Sequence, residues 1–239
     1  MDKTVSEHES NQKRYPKTMK QSALPNSRRS FLTGITGLAA GISTVPFPAA
    51  SVQAATPASD FSVIGPRPGY SPQIGTLVSM LTWVDHGVTS PVKGLTQPQL
   101  DTLFDANSNT IGALLLHLAA AETFYQIHTF EGKPYGDVPD SVKKQFESAL
   151  ELGDKGRKEI KGHDLDYYLN TLKEVREKTL AGFKTRDDKW LMTIDPKFFG
   201  DAPTNNYCKW FHVCEHESHH AGQIAFLAKR LPGVKSSAD

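Results

Sequence analysis

The chain holds 239 residues with 27 Lys/Arg, 26 Asp/Glu and nine His, a formal net charge of +1 at pH 7. Residues 1–54 carry seven of the basic and three of the acidic side chains, so the remaining 185 residues hold 20 basic against 23 acidic groups. That balance offers no electrostatic footprint for nucleic acid, and the length suffices for one domain with a real core.

Residues 1–26 are polar, with Lys3, Lys13, Arg14, Lys17 and Lys20 and little apolar periodicity. Ser27-Arg28-Arg29-Ser30-Phe31-Leu32 follows, then an apolar run diluted by Gly and Thr to about Ala50, then Val52-Gln53-Ala54. A basic region, a modest apolar segment and a small-residue end make an export signal. Paired arginines before Phe-Leu point to the twin-arginine route, with that export machinery as a partner. The run is too short and too rich in Gly, Thr and Pro to span the roughly 20 residues a bilayer demands, so no stable membrane anchor is expected after cleavage. The expected location of residues 55–239 is periplasmic or otherwise extracytoplasmic.

Residues 55–72, with Pro57, Pro66, Pro68 and Pro72, read as a Pro/Gly-rich linker. A helical domain is expected over 73–232, with 233–239 a tail. Its first helix spans about Gln73–Thr89, with Ile74, Leu77, Val78, Leu81 and Val84 at three- and four-residue spacing. Residues 95–103 allow one helical turn. The second helix runs about Thr110–Phe130, capped from within Asn107–Thr110 and stopped by Gly132 and Pro134. Its middle is apolar nearly all round, which predicts burial on most sides. Residues 139–161 are charged and partly helical. Asp164 caps a third helix over about Leu165–Lys184, and residues 185–204 read as a loop. The fourth helix runs about Asn205–Leu231 before Pro232-Gly233. No strand alternation and no internal repeat is visible. Four amphipathic helices with reversing loops predict an all-α four-helix bundle.

Cys208 and Cys214 are six residues apart, roughly 9 Å of helical rise. A disulfide needs Cα atoms within about 7 Å, so no bridge is expected.

Four of the nine histidines fall between His212 and His220. On a helix His216 and His220 lie about 40° apart on one face, shared with Val213, Ile224, Leu227 and Leu231. Two imidazoles among aliphatic side chains are costly unless each nitrogen has a partner. A divalent metal satisfies both, and the i, i+4 spacing lets two ring nitrogens converge on it.

His216-Glu217-Ser218-His219-His220 also spells HExxH, the zinc-protease signature, in which Glu217 is the base. Only 19 residues follow His220, their sole carboxylate side chain is Asp239, and the His-x-x-Gly-x-x-His continuation is missing. A zinc protease is therefore the weakest reading. The third ligand has to come from upstream, and His117 interrupts the most apolar stretch of the chain. His128 shares a similar face but lies about 16 Å further along, too far for the same ion. His117, His216 and His220 form the expected metal set, a three-imidazole arrangement familiar for zinc.

At these residues the chain resembles the DinB/YfiT-like superfamily of four-helix metal proteins. The resemblance rests on IGALLLHLAAAE in the second helix, the carboxy-terminal His-x-x-x-His and the Gly-Gln in HHAGQI, with GLTQPQLDTL similar to the family's first connection. It covers roughly residues 72–231 and implies a DinB-like bundle in which His117, His216 and His220 bind one divalent ion, zinc or nickel. One departure is Ala221, where many members carry Arg before Gly-Gln.

Three protein ligands leave a coordination position open, the layout of a catalytic site. The first reading is a metal-dependent hydrolase in which activated water attacks a small-molecule substrate. Glu217 is the candidate catalytic base, with Glu122, Asp85 and His86 as further candidates. The family also includes transferases that activate a low-molecular-weight thiol on the metal. Because such thiols are chiefly cytosolic and this chain carries an export signal, a thiol S-transferase stands second, ahead of a non-catalytic metal- or ligand-binding bundle. Trp83, Trp190, Trp210 and Tyr125 read as core aromatics, with pocket lining as the alternative. Related proteins often dimerise through bundle faces, which makes a homodimer a further expectation.

Overall fold

The computed structural model describes residues 62–200 and 202–233. The expected export signal at 1–54, residues 55–61 of the expected linker and residues 234–239 of the expected tail lie outside the described residues.

Four long helices carry the architecture: α1 (Pro72–Thr89), α3 (Ile111–Thr129), α6 (Leu165–Lys184) and α8 (Asn206–Ala228). Short elements fill the connections: a 3-10 turn (Ser90–Val92), α2 (Gln97–Leu100), α4 (Asp140–Glu151), α5 (Gly153–Glu159) and α7 (Asp188–Leu191). The long helices begin where side-chain caps supply the orphan amides of a first turn. Thr110 accepts from Ala113 N–H, Asp164 from Tyr167 N–H and Asn205 from Cys208 N–H. The first helix is capped from a distance instead. Asp188 Oδ1 takes the amides of Gln73 and Ile74, at 3.0 and 3.3 Å, together with the Ser71 hydroxyl at 2.5 Å.

α3 packs against α6, α8 and α4, and α1 packs along α8. Being covered on several sides, α3 is apolar nearly all round, as its sequence predicts. Two apolar clusters result. One gathers Leu100, Ile111, Leu114, Leu115, Leu118, Tyr168, Leu172 and Ile224. The other gathers Ile74, Leu77, Leu81, Tyr125, Phe183, Leu191, Trp210 and Val213. Along α8 the first cluster resumes only at Ile224 and the second ends at Cys214. The histidine-rich turns lie between them.

The four helices fall within three residues of their expected bounds, and the fold is all-α in character. One expectation is corrected. Residues 185–204 are not simply a loop: besides α7 they form an antiparallel hairpin, β1 (Ile194–Phe199) with β2 (Ala202–Asn205), whose register slips between Asp195 and Phe199. Both strands are short and carry a proline, so no two-residue alternation could build up. Buried Lys209 ties the hairpin to α8, pairing with Asp195 at 3.0 Å and lying 4.0 Å from the Phe198 ring centroid. The described part of the linker, from Ser62 on, also packs on α1. Gly65 N–H donates to Ser79 Oγ at 3.0 Å, and a Cβ on Gly75 would stand 2.4 Å from the Arg67 backbone nitrogen.

Both cysteines are free, Cys208 exposed and Cys214 buried, as their spacing predicts. Among the described residues no helix is long and apolar enough to cross a membrane.

Candidate metal centre

α3 and α8 bring three imidazoles to one point. His117 Nε2 and His220 Nε2 each lie 3.1 Å from His216 Nε2. Among the described residues, one ligand atom from each of His117, His216 and His220 can be chosen so that all lie within 4.8 Å of one another. All three rings are partly buried.

The second nitrogens fix the tautomers. His117 Nδ1 is 2.7 Å from the Ala149 carbonyl, and His220 Nδ1 is 2.9 Å from Gln223 Oε1. Each partner is an acceptor, so each Nδ1 carries the proton and each Nε2 presents a lone pair. Two lone pairs therefore face His216 Nε2, where one proton could satisfy only one of them. Burial lowers the pKa of all three rings, and for His216 the neighbouring charges of His220 and His117 add to it, taking its pKa down to about 3. The rings are neutral at pH 7, the form in which imidazole binds a metal.

These residues fit a divalent ion. With metal–nitrogen bonds of about 2.0–2.1 Å and angles near tetrahedral or square, ligand nitrogens stand about 2.9–3.4 Å apart. The observed 3.1 Å separations fall in that range. Outer partners that orient metal-binding histidines are a regular part of such sites. Ala149 and Gln223 occupy those positions here.

Glu217 follows His216, lines a small cavity together with His216 and Glu122, and enters a buried ion-pair network. Arg176 Nη2 donates to Glu217 Oε2 at 2.7 Å, while Arg176 Nε reaches both oxygens of Glu122 at 3.0 and 3.2 Å. Thr179 Oγ1 donates to Glu122 at 2.5 Å and accepts from Gln126 at 2.8 Å. Glu122 and Glu217 are each only 4 % exposed. Burial pushes the Glu217 carboxyl up to about 7 against the pull of Arg176. Asp85, also raised by burial, feels the same guanidinium.

The remaining residues singled out from the sequence take ordinary positions. His212 Nδ1 bonds the Tyr125 hydroxyl at 2.8 Å, with its ring stacked on that of His216, and His219 pairs with Glu215 at 3.2 Å. His128 is buried against Phe124 and Tyr135, away from the triad. Trp210 is core; Trp190 stacks on Phe130; Trp83 is half exposed on the outer surface of α1. At Gln223, the partner of His220, lies a groove of about 570 Å³ lined by Asn107, Asn109, Leu114, Gly222, Gln223 and Phe226, among others, and by none of the three triad histidines. Gln223 thus faces both the groove and His220.

A family model of mycothiol-S-transferases matches residues 76–233, which contain the whole triad. The chain belongs to the mycothiol-S-transferase family. That family lies within the DinB/YfiT-like superfamily, so the resemblance seen in the sequence holds. No curated protein sequence matches the chain. Membership changes the weight between the two enzymatic expectations: a mycothiol-S-transferase family favours metal-dependent thiol transfer over the hydrolase reading placed first on sequence grounds. The arrangement of neutral nitrogen donors serves either chemistry, so the triad alone could not separate them. The Arg176 network had no motif to announce it. Its one signal was Glu122, a carboxylate inside an otherwise apolar run, which must find a cation when buried.

Proposed function

We propose that this protein is a metal-dependent thiol S-transferase, joining a low-molecular-weight thiol of the mycothiol class to a small electrophile. Family membership over residues 76–233 is the observation that carries the reading, and the convergent triad supports it. His117, His216 and His220 hold one divalent ion, zinc or nickel by the chemistry of the donor set. That ion, when bound, supplies Lewis acidity that makes a thiol ionise near neutral pH.

The chain's own residues prepare the site. Ala149 and Gln223 hold the Nδ1 protons, which keeps the Nε2 lone pairs aimed inward. Arg176 pairs with Glu217 and holds it in the buried network beside His216. The groove lined by Asn109, Gln223 and Phe226 admits substrate at Gln223, the partner of His220. In the transfer the thiol loses its proton, the sulfur attacks the electrophilic carbon, and a leaving group departs with its bonding pair. Buried Cys214 is not the nucleophile in this reading: burial pushes its thiol up to about 12, far from the ionised form a nucleophile needs.

Thiol-plus-electrophile turnover, measured with and without a chelator, tests this reading against ester and amide hydrolysis. Chelator-sensitive conjugation that is lost in His117→Ala supports it. Hydrolysis without conjugation restores the hydrolase, and no turnover of either kind leaves a binding protein. We further propose that residues 1–54 direct twin-arginine export, in which case the thiol substrate has to be present outside the cytoplasm as well. Fractionation of cells expressing the Arg28→Lys/Arg29→Lys protein tests this, with retention in the cytoplasm expected.

A further inference from the structure

The bond that orients His117 depends on a helix that stops in an unusual way. In α4 the Leu152 amide still donates to the Ser148 carbonyl, at 3.0 Å. The next bond of a continuing helix would run from the Gly153 amide to the Ala149 carbonyl. Instead Leu152 takes φ 53° and ψ −142°. That region is close to one populated almost only by glycine, and a branched side chain there costs about 1–3 kcal/mol. The Gly153 amide turns to Asn109 Oδ1, at 3.3 Å, and Gly153 itself has φ 56°. The chain restarts as α5, with the Gly156 amide donating to the Leu152 carbonyl at 3.0 Å. Arg157 holds the same junction from the other side, donating to the Ser108 carbonyl at 3.2 Å.

The outcome is a carbonyl, on a residue only 1 % exposed, whose helical donor has been taken elsewhere. His117 Nδ1–H fills that vacancy at 2.7 Å. A strained residue persists only where its surroundings over-determine it, and strain concentrates at functional sites.

We infer that Asn109 and the Leu152–Gly153 break are positioning residues for the metal centre: by drawing the Gly153 amide away, they release the Ala149 carbonyl to set the tautomer and orientation of His117. The inference rests on the triad being the metal site. It extends that site to a segment more than 30 residues away in sequence and to a side chain that also lines the groove.

Zinc affinity is measured by chelator competition on the full chain, wild type beside Asn109→Ala, Gly153→Ala and Asn109→Asp. Losing an outer partner of a metal histidine weakens binding about 10–100-fold, the expected rise in Kd for Asn109→Ala and Gly153→Ala. Asn109→Asp keeps the acceptor and is expected to restore near wild-type affinity. In metal-free, nitrogen-15-labelled protein the slowly exchanging Nδ1–H resonance of His117 is expected in wild type and lost in Asn109→Ala. Should Asn109→Ala fold poorly, Gly153→Ala, which keeps the amide but places a Cβ on a residue at φ 56°, tests the break through its backbone conformation instead. Wild-type zinc binding with unchanged Kd in both variants overturns the inference while sparing the triad. A wild type that binds no zinc overturns the triad instead, and the metal-free resonance then decides the His117–Ala149 relay alone: its absence in wild type, or its survival in both variants, overturns it.

Discussion

Replacing Arg176 by Met removes the one cation shared by two buried carboxylates. Three charge-assisted bonds disappear, two to Glu122 at 3.0 and 3.2 Å and one to Glu217 at 2.7 Å. Both glutamates are 4 % exposed, so water cannot replace the guanidinium. Breaking a buried pair by deleting one partner costs about 3–5 kcal/mol, because a charge is left uncompensated. The cost depends on pH. Burial raises Glu217 to about 7 in the folded protein, from an ordinary value of 4.5. A folded carboxyl raised above its unfolded value binds more protons than the unfolded chain, so its contribution is fully present below 4.5 and lost as pH rises through 7. Without Arg176 that loss deepens and extends to higher pH. Urea unfolding of metal-free wild type and Arg176→Met should therefore differ by about 3–5 kcal/mol near pH 8 and by distinctly less near pH 5. The imidazoles, present in both proteins, largely cancel in the difference. A difference below about 1 kcal/mol at the higher pH, or one that does not change with pH, refutes the reasoning, since such values belong to an exposed pair.

Gln223→Ala removes the acceptor for His220 Nδ1–H; zinc competition should show Kd raised about 10–100-fold with little change in thermal stability. Gly112→Ala would place a Cβ 2.7 Å from Tyr168 Oη and 2.8 Å from its Cζ, with Tyr168 fully buried. Overpacking of about 1–3 kcal/mol should outweigh the roughly 1 kcal/mol gained in helix propensity, so denaturant unfolding should find the variant less stable. His216 is depressed to about 3 from an ordinary 6.5. Its contribution is present above 6.5 and lost as pH falls toward 3, so metal-free wild type should lose stability on acidification more steeply than His216→Ala.

Much of this molecule could be read from its residues, and the reason is local. Helices α3, α6 and α8 announce themselves because Thr110, Asp164 and Asn205 cap them and their apolar spacing persists for five turns or more. His117 stood out because a polar ring in an apolar run needs a partner, and His216 with His220 supplied the matching face. What escaped reading is non-local. Nothing near Pro72 tells that Asp188, far along the chain, will cap α1. The Arg176 network joins three helices, and no spacing rule tells which helix will supply the cation for Glu122. Gln223 was quoted only as part of a resemblance; its physical reason, holding the His220 tautomer, needed the structure. The positive φ of Leu152 had no sequence cue, since leucine is the last residue expected there.

Everything returns to the three converging nitrogens. Metal content per chain, measured after zinc or nickel loading and desalting, tests them most directly in wild type, His117→Ala, His216→Ala and His220→Ala. The account predicts one ion per wild-type chain and loss of stoichiometric binding in each variant. Full occupancy in any of the three, or none in wild type, contradicts it.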